Sequence, residues 1–94
     1  MIIKRTLVFE KWFLKQKSNI KETIVIYLNR VVLGNMGNCK SLGGGLHELK
    51  IHYGNGIRIY FTNVNGEIII LLCGGDKSSQ SEDIIKARVL KENL

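Results

Sequence analysis

Lys50, His52, Arg58 and Tyr60 fall at alternate positions of two neighbouring segments of the chain, and Asp76 and Lys77 follow a third. These are side chains that phosphoryl chemistry on RNA can use. Fixed cations stabilise charge on the phosphorane oxygens, and a second group moves a proton to or from the attacking 2′-hydroxyl and the leaving oxygen. Such chemistry needs no metal or other cofactor. Arg58 offers a planar bidentate fork for phosphate, although a strand arginine can also simply pair with Glu48. Lys50 clamps phosphate as an ordinary ammonium and serves as a base only if neighbouring cations lower its pKa. His52 has the intrinsic pKa for acid–base work, whereas His47 lies on the apolar-side parity and reads as a hydrogen-bonded edge residue. Tyr60 either stacks on a base or packs beside Lys50.

To bring these residues together the chain needs a sheet. Leu46 to Tyr53 alternates, with Leu49, Ile51 and Tyr53 on one face and Glu48, Lys50 and His52 on the other. Ile57 to Thr62 alternates in the same way, setting Ile57, Ile59 and Phe61 against Arg58, Tyr60 and Thr62. Matching the two apolar faces in an antiparallel pair requires a loop with an odd number of residues, and Gly54-Asn55-Gly56 supplies one. That register puts His52 opposite Arg58 and Lys50 opposite Tyr60. A two-residue turn at Asn65-Gly66 then puts Cys73 opposite Arg58 and Leu71 opposite Tyr60, on a strand apolar on both faces.

Helices must cover that sheet. After a β-prone start at Ile2 to Arg5, Phe9, Trp12 and Phe13 fall at helical spacing. Ser18 and Asn19, with Glu22 beyond, offer cap chemistry for a second helix whose stripe of Ile20, Ile24, Tyr27, Leu28 and Val31 ends at Gly34. Ser79-x-x-Glu82 is a capping-box candidate for a last helix bearing Ile84, Ile85, Ala87, Val89 and Leu90. The expected order is βααβββα, an α+β fold in which an antiparallel sheet packs against an N-terminal helical hairpin. Gly43-Gly44-Gly45 and Gly74-Gly75-Asp76-Lys77-Ser78 match no nucleotide motif and read as a bend into a strand and a strand-to-helix turn.

The 94 residues predict one domain, 1–94, with 45% hydrophobic and 23% charged residues as in an ordinary globule. The longest apolar run, Ile68 to Cys73, is far below the roughly 20 residues of a membrane span, and no export signal opens the chain, so a soluble cytoplasmic protein is expected. Cys39 and Cys73 lack C-x-x-C spacing and clustered histidines, which favours reduced thiols over a zinc site or a disulfide. The net charge of +6 arises before Ser41, where eight basic residues face two acidic ones; from Ser41 onward six face six. Such a face attracts polyanions such as RNA, the ribosome or DNA, or it keeps exposed helices soluble.

Several segments together resemble the HigB-type branch of the RelE/ParE superfamily, also known as addiction module killer proteins. They are Phe9 to Leu14, Gly34 to Asn38, Lys40 to Gly45, Glu48 to Ile51, Gly56 to Tyr60 and Leu72 to Gln80. The resemblance implies the toxin of a type II toxin–antitoxin system, neutralised by a helix-turn-helix antitoxin and touching DNA only indirectly through that complex. It implies further a metal-independent endoribonuclease, an mRNA interferase that cuts mRNA in the ribosomal decoding site. Arg58 matches the family's strand arginine, and Lys50 a basic position on the preceding strand. The terminus, Lys91 to Leu94, lacks the tyrosine or histidine of many relatives, so Asp76, Lys77 or His52 would have to move the proton. Two alternatives keep the fold: a ParE-like inhibitor of DNA gyrase that cuts nothing, and an inactive toxin retained in an autoregulatory complex. On this reading Arg58→Ala abolishes toxicity and leaves the fold intact.

Overall fold

The computed structural model describes residues 1–94. Strand β1 (Ile2–Arg5) leads into helices α1 (Leu7–Leu14) and α2 (Ser18–Val32). Strands β2 (Cys39–Gly43), β3 (Leu46–Ile51), β4 (Ile57–Val64) and β5 (Ile68–Gly75) follow, and a 3-10 turn at Lys77–Ser79 opens α3 (Gln80–Glu92). The sheet runs β1-β5-β4-β3-β2, antiparallel except for β1, which returns parallel to β5. No helix is long and apolar enough to cross a membrane.

Helices cover both faces. On one, Phe9 of α1 and Ile24 and Val31 of α2 meet Leu49, Ile51, Ile57, Ile59 and Phe61, the inward set that the strand alternation predicts, together with Ile69 and Leu71, of which Leu71 is expected from the sequence opposite Tyr60 on the other face. The expected helical hairpin is matched only in part: α1 lies close along β5, whereas α2 reaches the sheet through the long side chains of its stripe. On the other face α3 lays Ala87, flanked by Ile84 and Leu90, over Leu46, Tyr60, Leu72 and Cys73. Ile85 and Val89, placed on that helix's apolar face by the sequence, point to solvent at 67% and 53% exposure. The polar face expected on this side of the sheet is therefore open only at its end, beyond the reach of α3.

Four local expectations are corrected. A fifth strand, β2, pairs with β3 on the sheet edge; its residues are mostly exposed, so it has no alternation to betray it. The β3–β4 loop has five residues, because β3 stops at Ile51 and the turn closes through Gly56 N–H to Tyr53 O (3.1 Å). Five is odd like three, so the apolar faces still match while the register moves by two, giving Lys50 opposite Arg58 and Glu48 opposite Tyr60. The β4–β5 turn holds three residues rather than two, and Leu72 is an extra residue between the pairs Phe61–Leu71 and Tyr60–Cys73. Together these shifts set Tyr60 opposite Cys73 and Arg58 opposite Gly75.

Both expected capping boxes are replaced. In α2 the Asn19 carboxamide donates to the Tyr53 hydroxyl instead of capping the helix with Glu22, and no side chain caps that end. Ahead of α3 the cap is Asp76, which accepts from Ser78 N–H (2.8 Å) and forms a box with Ser79. The Ser79 hydroxyl donates to Asp83 Oδ2 (2.6 Å).

Candidate functional site

The register brings the chemistry to one end of the sheet. Lys50 near the end of β3 faces Arg58 at the start of β4, Arg58 in turn faces Gly75, the last residue of β5, and Asp76 and Lys77 come next along the chain. These four side chains line an open cleft of 690 Å³ with Ser78 and the β3–β4 loop. Lys50 and Arg58 also border a smaller cleft of 340 Å³ that contains His52, Lys40 and Glu48. Five of the six residues singled out from the sequence thus surround two adjoining clefts that share Lys50 and Arg58. His52 is in the β3–β4 loop rather than across from Arg58 as expected.

Arg58 is not the solvated strand arginine that a surface pair would have made it. It is 6% exposed, its Nε lies 3.8 Å from Glu48 Oε2, and Nη1 donates to Gly56 O (3.2 Å). Glu48, equally buried, accepts from Gln80 Nε2 of α3 (3.0 Å). The guanidinium is therefore anchored at its base by a carboxylate that α3 itself holds, while the residue lines both clefts. A cation fixed in this way needs little reorganisation when charge develops beside it. Lys50 and Lys77 are exposed and add mobile positive charge.

Asp76 stays ionised at the cleft wall, because hydrogen bonds from the Ser78 hydroxyl and N–H, aided by the Arg58 charge, lower its pKa from the ordinary carboxylate value. Tyr60 is drawn out of the candidate set. It is fully buried beneath α3, so it neither stacks on a base nor meets solvent in this fold. Its hydroxyl has no hydrogen-bond partner, and burial first, then the Glu48 carboxylate, hold its pKa above the normal phenol value. Glu48 is what the sequence missed as a site residue; its place among the polar positions of β3 suggested only a partner for Arg58. His47, on the opposite face, stacks on Phe61 with ring centroids 5.2 Å apart. No three His, Cys, Asp or Glu side chains gather as a metal site would require.

The glycine pair before Asp76 explains how both helical layers come so close to the site. A Cβ on Gly74 would be 2.4 Å from Cζ3 of Trp12 in α1, and one on Gly75 would be 1.8 Å from Oδ2 of Asp83 in α3. Successive strand residues face opposite ways, so each glycine admits one side chain from one layer.

Comparison with known proteins gives three findings. The family model described as "Phage derived protein Gp49-like (DUF891)" matches residues 11–91. An uncharacterized protein of Haemophilus influenzae is 45% identical over 93 residues, covering 98% of this chain and 94% of that protein. Among solved structures, a substituted E. coli toxin RelE in the free state superposes with a TM-score of 0.77 at 17% identity, over 99% of this chain and 97% of that one. A chain of the intact E. coli RelBE toxin–antitoxin complex gives 0.68 at 14% identity, over 80% of this chain and 94% of that one. At such identities the likeness concerns the fold, which is α+β and RelE-like.

Proposed function

This chain belongs to the Gp49-like family, and we propose that it is the toxin of a type II toxin–antitoxin system, a HigB-type mRNA interferase that cuts mRNA on the ribosome in the cytoplasm until an antitoxin binds it. The observation that carries this reading is the convergence of Lys50, Arg58 and Lys77 on one cleft, with the arginine fixed by Glu48 and Gly56. In the reaction, Arg58 takes the non-bridging oxygens of the scissile phosphate, and Lys50 and Lys77 neutralise the charge that grows as the 2′-oxygen attacks. Asp76, ionised on the wall of the larger cleft, accepts the proton of the 2′-hydroxyl, and His52, in the smaller cleft that shares Lys50 and Arg58, supplies a proton to the leaving oxygen. Neither Tyr60 nor any group bound from outside has a part in this scheme. The partner is a helix-turn-helix antitoxin, consistent with the partnered state of the RelBE neighbour.

The test is to induce the chain in cells lacking the antitoxin and map the 5′ ends of mRNAs. New ends in phase with codons, absent when a stably folded Arg58 variant is induced, are the expected result. Growth arrest with intact mRNA would instead favour the gyrase-inhibitor reading, and no arrest would point to an inactive copy.

A further inference from the structure

A third cavity, of 450 Å³, adjoins the cationic cleft and shares Gly54, Asn55 and Asp76 with it as a common rim. Its size is that of a small-molecule site. Its walls differ from those of the cleft. Trp12, laid over Gly74, closes one side, and Tyr53, held through its hydroxyl by the Asn19 carboxamide, stands on another. Asp83 borders it from α3, using one carboxylate oxygen on Ser79 and leaving the other as an acceptor, and Gln16 and Lys86 complete the polar groups. Two ring surfaces beside a few convergent polar groups, next to a cluster of three cations, is an arrangement suited to a nucleotide.

We propose that this cavity is a nucleobase subsite, which receives the base adjoining the phosphate held by Lys50, Arg58 and Lys77. The inference rests on the reading of the cationic cleft as a phosphate site. The sugar crosses the rim at Asn55 and Asp76, and the base lies against Trp12 and Tyr53. Asp83 can only accept hydrogen bonds and its free oxygen suits an exocyclic amino group, so the subsite favours bases that carry one; Lys86 donates to the ring carbonyl of cytosine or guanine, or to a ring nitrogen of adenine. Uracil, which offers a single ring N–H and no amino group, pairs less well with this acceptor and is disfavoured about tenfold, as one good hydrogen-bonded pair discriminates.

Trp12 is the only tryptophan, so its indole N–H gives a single side-chain NMR signal that reports on this cavity. The experiment titrates the purified protein with the 5′-monophosphates of cytidine, adenosine, guanosine and uridine, and with inorganic phosphate. The amino-bearing nucleotides should move the Trp12 signal at about tenfold lower concentration than uridine monophosphate does, and phosphate alone should leave it in place. Asp83→Asn, which turns an acceptor into a donor, should narrow the difference between nucleotides, whereas Lys50→Ala should weaken all four alike. Nucleotides that shift signals of Gly56 and Lys77 but not Trp12, or that act no differently from phosphate, would overturn the subsite. The two readings fail separately: a responsive Trp12 without cleavage of cellular mRNA retains the subsite and removes the nuclease, and cleavage with a silent Trp12 does the reverse.

Discussion

Replacing Arg58 by alanine tests the site and the fold at once, and the structure says that the two effects must be separated. Arg58 and Glu48 are both about 95% buried, with Nε 3.8 Å from Oε2. Removing the guanidinium strands the buried Glu48 carboxylate with the Gln80 amide as its hydrogen-bond donor. Breaking a buried pair from one side costs about 3–5 kcal/mol, which in a domain of this size lowers the midpoint of thermal unfolding by roughly 12–40 °C. Such a loss is a large part of the roughly 5–14 kcal/mol that a chain of this length has in total. Loss of toxicity in Arg58→Ala would therefore mix unfolding with lost catalysis, and the expectation that this variant keeps the fold intact is replaced by one of strong destabilisation.

The informative variant is the double one, Arg58→Met with Glu48→Gln, which removes both charges and keeps comparable bulk. Exchanging a whole buried pair for neutral groups is often neutral, so the double variant should unfold within about 1–2 kcal/mol of the parent in urea, far above Arg58→Ala. Its cleavage rate should still fall about 10²- to 10³-fold, as when one transition-state donor is removed. Urea melts and mapped mRNA ends for the parent, the single and the double variant decide the matter. A double variant no more stable than Arg58→Ala would refute the assignment of the loss to a stranded charge, and a stable double variant that cuts mRNA at the parental rate would refute the role of Arg58.

Three further outcomes follow from the same structure. Gly75→Ala places a methyl 1.8 Å from Asp83 Oδ2 and should cost about 1–3 kcal/mol by overpacking, while Gly75→Ala combined with Asp83→Ala should recover part of it; strict additivity in urea melts would show that the two do not meet. Burial pushes the Cys73 thiol up to about 12 and Tyr60 above its ordinary value. Both groups favour the protonated fold, so stability is intact below pH ~9 and declines as the pH climbs from there toward ~12; Cys73→Ala and Tyr60→Phe should each flatten that decline, and unchanged slopes in melts from pH 8 to 11 would count against the burial. Lys77→Ala, on an exposed side chain, should alter stability by less than ~0.5 kcal/mol yet slow cleavage at least about tenfold, and equal rates would remove Lys77 from the site.

How far the sequence reached is best seen in the β3–β4 hairpin. Face matching demanded an odd loop, and any odd loop satisfies it, so parity was legible while the choice between three and five residues was not. That choice decided whether Lys50 or His52 stands across from Arg58. The inward residues of β3 and β4 were legible because alternation reports burial, and the stripe of α2 because its period reports a face. β2 was hidden by its exposure. The cover of α3 over Tyr60 was hidden because Ala87 alone is fully buried on that helix among its apolar residues, with too few large side chains to announce a second core. The environment of Arg58 depended on that cover, since Gln80 of α3 holds Glu48, and no pattern within a single strand records a contact 32 positions away.

The extra residue at Leu72 acts as a phase inverter in β5. Ahead of it, odd-numbered residues such as Ile69 and Leu71 face α1 and α2; after it, Cys73 and Gly75 face α3, and Gly74 looks toward Trp12. Every side chain downstream is thereby turned half a revolution relative to an unbulged strand, including the exit toward Asp76 and Lys77. The two halves of β5 thus obey opposite rules, and the chain's length at this one point sets which layer the site belongs to. Removing Leu72 would take one buried side chain from the core under α3, leave the residues of the other core in place, and dismantle the cleft by presenting Gly75 to the wrong helix.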